Sequence, residues 1–101
     1  MTSYYETRVA GVSFRQSSMK KVVEGHKLIL ISEPTNKYDP NAIMVCLGDT
    51  EDQIGYIPKS EAPDVKKLLE EGKVKGCKVL FVGRPGPRKP IGCRIAIEVD
   101  E

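Results

Sequence analysis

The sequence predicts a mainly β protein, a small antiparallel barrel of about six short strands with one clear helix. Apolar or alternating segments recur along the 101 residues, separated by glycine, proline and polar turns. Only one segment, at about 60–71, has the apolar spacing of an amphipathic helix. In so short a chain, a twisted sheet that closes on itself buries one face of each strand and removes exposed edges.

The first half of the chain contains two predicted strands. Residues 4–14 alternate loosely and predict the first strand, with Gly11 as a possible bulge. The polar segment 15–27 is compatible with a loop or with one helical turn. Residues 27–33 are almost continuously apolar and predict the second strand, which ends at Pro34 because proline cannot donate to a central ladder.

A hairpin and the helix follow. Residues 41–48 and 53–59 predict two strands joined by a short turn, and Gly55 within the second indicates close approach by another backbone. Ser60 is the expected helix cap and Gly72 the expected stop. The apolar face of the helix comprises Ala62, Val65, Leu68 and Leu69.

Two further strands, 73–83 and 92–100, flank a loop at 84–91 and contain a charge asymmetry. Residues 73–97 hold no acid and seven basic residues, namely Lys73, Lys75, Lys78, Arg84, Arg88, Lys89 and Arg94. The other residues hold nine basic and fourteen acidic side chains, a balance of minus five. The asymmetry indicates either a face for a negatively charged partner or ordinary solvated lysines, and charge alone leaves both open.

Several classes of site are not expected. Cys46, Cys77 and Cys93 are widely spaced and odd in number, which predicts neither a disulfide framework nor a zinc site; Cys46 and Cys77 fit buried positions. With His26 as the one histidine, no metal and no cofactor are expected. No apolar segment approaches the roughly 20 residues of a membrane span. An intracellular protein, cytoplasmic if microbial, is the expectation, with no membrane partner.

No recognisable catalytic motif is present. The sequence lacks G-x-x-x-x-G-K-[ST] and G-x-S-x-G, so neither that phosphate-binding loop nor that nucleophile elbow is predicted. A protein that is not an enzyme, with no catalytic residues, is therefore expected.

The segment "NKYDPNAIMV", residues 36–45, is the candidate binding element. It places the ring of Tyr38 and the carboxylate of Asp39 just before a strand. A tyrosine in a loop offers a flat face, and an aspartate offers an acceptor for a hydroxyl or an amide. An aspartate turn with the tyrosine lying on the barrel is the structural alternative. Asn41 is expected to bond its own local backbone.

Three segments in order, "VAGVSFRQ", "LILISEPTNKYDPNAIMV" and "IGYIPKSEAPDVKKLLEEG", resemble the HIRAN domain family. The resemblance covers about Val9 to Gly72, and the basic hairpin that follows fits the family's final strands. It implies that residues 1–101 form a single HIRAN-like domain with an OB-like barrel. It also implies capture of the 3′-hydroxyl end of single-stranded DNA, as in the best understood member of the family.

The resemblance assigns roles to five residues. Phe14 and Tyr38 match the rings that meet the terminal nucleotide, and Asp39 matches the carboxylate that accepts a hydrogen bond from the 3′-hydroxyl. Asn36 matches a polar contact of the same pocket, and Lys59 matches a basic position near the phosphates.

The chain also departs from the family pattern. Ser13 stands where a family relative has an arginine, and Phe14 has no hydroxyl. Both departures imply weaker affinity or a different substrate. The possible phosphate contacts are Arg15, Arg84, Arg88 and Lys89.

The function expected from these observations is non-enzymatic binding of single-stranded DNA at its 3′ end, in DNA repair or replication. The first alternative is a protein-interaction module that docks to a separate helicase, translocase or nuclease. The second, ranked last, is an enzyme that uses the Asp39 pocket on nucleic acid.

Overall fold

The computed structural model describes residues 1–84 and 86–100 and confirms a mainly β fold. Its elements, in chain order, are β1 (Thr2–Arg8), a 3₁₀ helix (Val12–Phe14), α1 (Gln16–Met19), β2 (Leu28–Ser32), β3 (Ile43–Leu47), β4 (Gln53–Tyr56), α2 (Ala62–Glu70), β5 (Val74–Gly83) and β6 (Gly92–Asp100). Within this part of the chain, six strands and one helix longer than a turn match the predicted element count.

The strands form two antiparallel three-stranded sheets, ordered β1-β6-β5 and β2-β3-β4, instead of one closed barrel. Single bridges join the sheets at Lys27 with Lys78 and at Ala10 with Tyr56. The ladder between β2 and β5 does not extend beyond one bridge, and the register of β5 against β6 shifts between Val74 and Gly76. Such a bulge bends a strand, so the edges of the two sheets separate there.

The first predicted strand, 4–14, is corrected at both ends. The strand starts at Thr2 and ends at Arg8. Gly11 is not a bulge within it: this residue has a φ of 73° and begins the 3₁₀ helix that contains Phe14. Left-handed backbone ends an extended strand, and only glycine adopts it without steric cost. Of the two alternatives for 15–27, a loop or one helical turn, the structure has a helical turn, α1.

The start of α2 also differs from the prediction. Glu61, not Ser60, occupies the capping position, and its side chain makes no capping hydrogen bond. Its carboxylate instead accepts hydrogen bonds from the hydroxyls of Tyr5, at 2.7 Å, and Thr7, at 2.8 Å. Glu61 therefore ties the start of the helix to β1. Gly72, with a φ of 68°, follows the helix end as predicted.

The core lies between the sheets and under α2, and it is aliphatic. Its largest fully buried side chains are Met19, Ile43, Leu47, Ile54, Ile95, Ile97, Val45, Val65 and Val79. Cys46, Cys77 and Cys93 are free thiols and are buried as well. Burial raises the pKa of Cys77 to about 12 and of Cys93 to about 11. Burial, followed by the hydrogen bond to Glu61, raises the pKa of Tyr5 to about 12.

These pKa values predict loss of stability at alkaline pH. A group whose pKa rises on folding stabilises the folded state fully below its unfolded pKa, here 9.0 for both thiols, and loses that contribution as pH rises to 11–12. We expect the free energy of unfolding, measured in urea, to decline above about pH 9. The decline should be smaller in a Cys77→Val/Cys93→Val variant, and an equal decline would show that the thiols do not contribute.

Candidate nucleic-acid interface

An open pocket of about 340 Å³ lies where the two sheets meet at the Ala10–Tyr56 bridge. Four of the five site residues predicted from the resemblance line it: Asn36, Tyr38, Asp39 and Lys59. The remaining lining residues are Ala10, Gly11, Ala42, Tyr56 and Ile57. A segment before β3, the end of β4 and the residues after β1 therefore meet at one place on the surface.

Asn36 holds the 36–39 loop in shape. Its Oδ1 accepts hydrogen bonds from the backbone N–H groups of Tyr38, at 2.9 Å, and Asp39, at 3.0 Å. Its Nδ2 donates to Oε1 of Glu33 at 3.1 Å. This is the turn chemistry that asparagine favours. Because most of the amide is engaged within the loop, its main role in this structure is to position the next three residues.

Asp39 lines the pocket, and one of its two carboxylate oxygens is bonded within the loop. Its Oδ1 accepts a hydrogen bond from the backbone N–H of Asn41 at 2.9 Å. Across residues 1–84 and 86–100, no hydrogen bond or ion pair engages Oδ2. A hydroxyl of a ligand can therefore donate to it. The side chain of Asn41 does not bond its own backbone as expected; its Oδ1 accepts from Nζ of Lys66 at 3.4 Å.

Tyr38 is 82% exposed, which leaves its ring available for stacking. The ammonium of Lys37 lies 5.6 Å from the ring centroid, within cation–π range. The combination of an exposed ring and an adjacent cation suits a nucleotide, since one group meets the base and the other a phosphate.

Two residues of the site, Tyr56 and Glu33, had no role in the sequence-based prediction. The hydroxyl of Tyr56 donates to Oε1 of Glu33 at 2.9 Å, the same atom that accepts from Asn36. Both residues occur in the segments that resemble the family, but they are 23 positions apart. Only the fold reveals that Glu33 links the loop to β4.

The base of the pocket requires glycine at position 55, as the sequence suggested. Backbone N–H···O bonds of 2.7 and 2.8 Å join Ala10 to Tyr56 in both directions. A Cβ atom on Gly55 would overlap the carbonyl oxygen of Ala10 and the side chain of Val9. Any larger residue would push the segment after β1 away from β4 and deform the pocket.

Phe14 and Arg15 lie beside the pocket instead of lining it. The backbone N–H of Phe14 donates to the carbonyl of Gly11 at 3.2 Å, which places the ring one turn beyond a lining residue. The ring is 86% exposed. The side-chain amide of Gln16 donates a hydrogen bond to the carbonyl of Ile91 and accepts one from its N–H, both at 2.9 Å. These bonds fix the loop at 84–91 next to the 3₁₀ helix that contains Phe14.

The basic loop, residues 84–91, has an internal brace. Nη1 of Arg84 donates to the carbonyl of Lys89 at 3.0 Å, while Arg88 and Lys89 are exposed. Pro85, one of its prolines, lies outside the described residues. Among the residues described, none of these three cations forms an ion pair, so each can meet a phosphate.

The family model described as HIRAN domain matches residues 3–100. The chain belongs to the HIRAN domain family. The HIRAN domain of human HLTF has a similar structure, with a TM-score of 0.69 and 20% identity, over 98% of this chain and 78% of that chain. A protein from Lactobacillus plantarum has a TM-score of 0.70 and 16% identity, over 99% of this chain and all of that one. No curated protein matches the sequence.

The family assignment establishes this chain as a member of a family of DNA-binding modules. The described residues contain no group of three acidic, histidine or cysteine side chains placed to hold a metal ion. In that same part of the chain, no helix is both long and apolar enough to span a membrane.

The role of Asn36 can be tested without DNA. Asn36→Ala removes two backbone hydrogen bonds and the bond to Glu33, each contributing about 0.5–1.5 kcal/mol. We expect a lower free energy of unfolding and faster amide hydrogen exchange at Tyr38 and Asp39. Thr35→Ala, at an exposed neighbouring position, is the control and should change neither. Unchanged exchange in the Asn36 variant would contradict the positioning role.

Proposed function

We propose that this protein binds single-stranded DNA without catalysis and holds its 3′-hydroxyl end in the pocket of Tyr38, Asp39 and Lys59. A role in DNA repair or replication suits such an activity, because both processes generate free 3′ ends. The observation that carries the proposal is that Asp39, whose Oδ2 accepts no hydrogen bond within the described residues, lines one pocket with the exposed ring of Tyr38 and with Lys59.

Charge accounts for the preference for a free end. A carboxylate accepts a strong hydrogen bond from a hydroxyl but repels a phosphate in the same position. Asp39 therefore favours a 3′-hydroxyl over a 3′-phosphate or a continuous strand. Lys59 is exposed at the rim of the same pocket and can attract the phosphate that precedes the terminal nucleoside.

Stacking accounts for affinity without sequence preference. Every base has a flat face, and stacking on an aromatic side chain contributes about 1–3 kcal/mol per base. Tyr38 and Phe14 both expose their rings, at the pocket and one turn away from it. Phe14 has no hydroxyl, so stacking is the contribution it can make.

The composition of the pocket supports binding over chemistry. The described lining residues include no cysteine, histidine, serine or threonine. The ionisable groups that do line the pocket, Tyr38, Asp39, Tyr56 and Lys59, form no hydrogen bond with one another in the described structure, so no nucleophile is paired with a base. Asp39 and Lys59 stand instead as hydrogen-bonding and electrostatic groups. Docking to a separate helicase, translocase or nuclease remains the competing function. The affinities for strands that end in 3′-hydroxyl and in 3′-phosphate distinguish the two functions.

The first test compares strands that end in 3′-hydroxyl and in 3′-phosphate. The wild type should bind the hydroxyl end more tightly in fluorescence anisotropy at low salt. Asp39→Asn should narrow this difference, since an amide does not repel phosphate but still accepts a hydrogen bond. Tyr38→Ala should weaken binding of both strands by about 1–3 kcal/mol.

A matched control separates site chemistry from net charge. Glu70→Gln removes one acidic charge from the exposed surface of α2 and should leave the difference between the two ends unchanged. The thermal melting point of each variant shows whether it folds. Equal affinity of the wild type for both ends would remove end recognition and favour the protein-docking function.

The second test concerns the basic loop. Arg88→Ala/Lys89→Ala removes two exposed cations and leaves the brace from the Arg84 side chain to the Lys89 carbonyl available. We expect weaker binding to all single strands and a slope of log K against log salt that is flatter by about 1.4, if each side chain meets one phosphate. Lys20→Ala/Lys67→Ala, with the same charge change, should retain the wild-type slope. If the loop variant kept the wild-type salt slope, the DNA strand would not contact the basic loop.

A further inference from the structure

Four of the six aromatic side chains of this protein have exposed rings. Phe14 and Tyr38 belong to the site described above. The other two, Tyr4 and Phe81, are each 57% exposed and lie outside it. Neither ring belongs to the core cluster. A single exposed ring needs no explanation, but two exposed rings on one face with cations beside them do.

Both rings lie on the outer face of the β1-β6-β5 sheet. Residues that are paired across strands point to the same face, and the row of Thr7, Ile95 and Val79 is buried. Because side chains alternate along a strand, the rows on either side of it, and every second row from there, face outward, although the small side chain of Ala96 is itself covered. One row contains Arg8, Arg94 and Phe81, the next Glu6, Ala96 and Lys78, and the third Tyr4, Glu98 and Gly76.

Phe81 is held in place by a glycine. A Cβ atom on Gly83 would lie 2.9 Å from Cε1 and 3.0 Å from Cζ of the Phe81 ring. The ring edge thus occupies the space that a side chain at 83 would fill, so the ring lies over Gly83. Its register partner is Arg94, so a base stacked on the ring would have a guanidinium next to it for the phosphate.

Tyr4 lies at the other end of this face, at a cleft of about 430 Å³. The ammonium of Lys78 is 5.8 Å from the centroid of its ring. Lys27 and Lys75 line the same cleft, and Gly76 leaves it open because it carries no side chain. The cleft lies between β5 and the start of β2, where the two strands separate.

The charge of this face is positive. Its cations are Arg8, Arg94, Lys78, Lys75 and Lys27, and its acids are Glu6, Glu98 and Asp100. Of these eight side chains, only Asp100 takes part in an ion pair in the described structure, with the N-terminal ammonium at 3.7 Å. Exposed rings with cations beside them are the combination that binds unpaired nucleotides, whereas a duplex hides the faces of its bases.

We propose that the outer face of the β1-β6-β5 sheet binds the nucleotides on the 5′ side of the captured end, with Phe81 and Tyr4 as stacking platforms. The direction of the strand rests on the proposed function. This face begins near the end pocket. In the 3₁₀ helix that contains Phe14, Cγ2 of Val12 lies 3.8 Å from the place where a Cβ on Gly92 would be. Gly92 is the β6 partner of Gly83, at the Phe81 end of the face. The distance along β6 between the row of Phe81 and the row of Tyr4 is about 13 Å, which is the rise of four strand residues.

The experiment measures how affinity depends on strand length. Oligothymidines with a 3′-hydroxyl, from about 3 to about 12 nucleotides, are titrated against the full chain at fixed salt. The shortest should occupy the end pocket alone. Wild-type affinity should rise with length by more than the statistical gain from additional binding positions. No rise beyond that gain would overturn the proposal.

Variants assign this rise to the sheet face. Phe81→Leu, which keeps an apolar side chain but removes the ring, should reduce the affinity for the longest strand about tenfold and leave the shortest unchanged. Arg8→Gln/Arg94→Gln should do the same and flatten the salt slope. Lys20→Gln/Lys67→Gln is the control with equal charge change and should match the wild type. Wild-type affinities for the longest strand in both face variants would also overturn the proposal.

The outcome can be read separately from that for the end pocket. Discrimination between 3′-hydroxyl and 3′-phosphate on the shortest strand reports on Asp39, while the dependence on length reports on the sheet face. Loss of discrimination with a retained dependence on length would refute only end capture. Discrimination between the two ends without dependence of affinity on length would refute only binding along the sheet face.

Discussion

The antiparallel pairing of Ala10 with Tyr56 is the constraint on which the site depends. Two backbone hydrogen bonds at this bridge join the β1-β6-β5 sheet to the β2-β3-β4 sheet, and Gly55 has no side chain because the Ala10 carbonyl occupies that space. The chain then turns at Gly11 in a left-handed conformation. As a result, the Phe14 turn emerges beside the pocket, and the pocket has backbone at its base.

The loop above that base is fixed by its own side chains. Asn36 bonds two backbone N–H groups, Glu33 bonds both Asn36 and Tyr56, and Asp39 bonds the backbone of Asn41. These contacts order the loop before any ligand arrives, which lowers the entropy lost on binding. In this arrangement the ring of Tyr38 is exposed, and Oδ2 of Asp39 has no hydrogen-bond partner among the described residues. Of the structural alternative for this segment, the aspartate turn is present, since Asp39 Oδ1 bonds the N–H of Asn41, but Tyr38 is exposed and does not lie on the barrel.

The sequence predicted the element types well. The family resemblance predicted four lining residues, of which Asn36, Tyr38 and Asp39 lie in one contiguous motif and Lys59 lies in the later segment "IGYIPK". Periodicity identifies α2 and the hairpin of β3 and β4 because their patterns are local. It could not identify the roles of Glu33, Gln16 and Glu61, since each bonds a partner far along the chain. Barrel closure was expected from the need to hide strand edges, but continuous closure requires the register of β5 to persist, and a bulge shifts it. No short-range pattern signals that shift reliably.

The distribution of aromatic residues explains why the first strand was predicted too long. An alternating pattern treats Phe14 as one more apolar position, although the ring projects into solvent. In this protein the core is built from isoleucine, valine, leucine and methionine, whereas the two rings that are not exposed, Tyr5 and Tyr56, donate hydrogen bonds to Glu61 and Glu33. An exposed ring gains little from burial during folding, so its position is free to serve a ligand. In a small β protein with a basic surface, exposed rings are therefore a better guide to the nucleic-acid path than the charges alone, because cations are common on any surface and exposed rings are not.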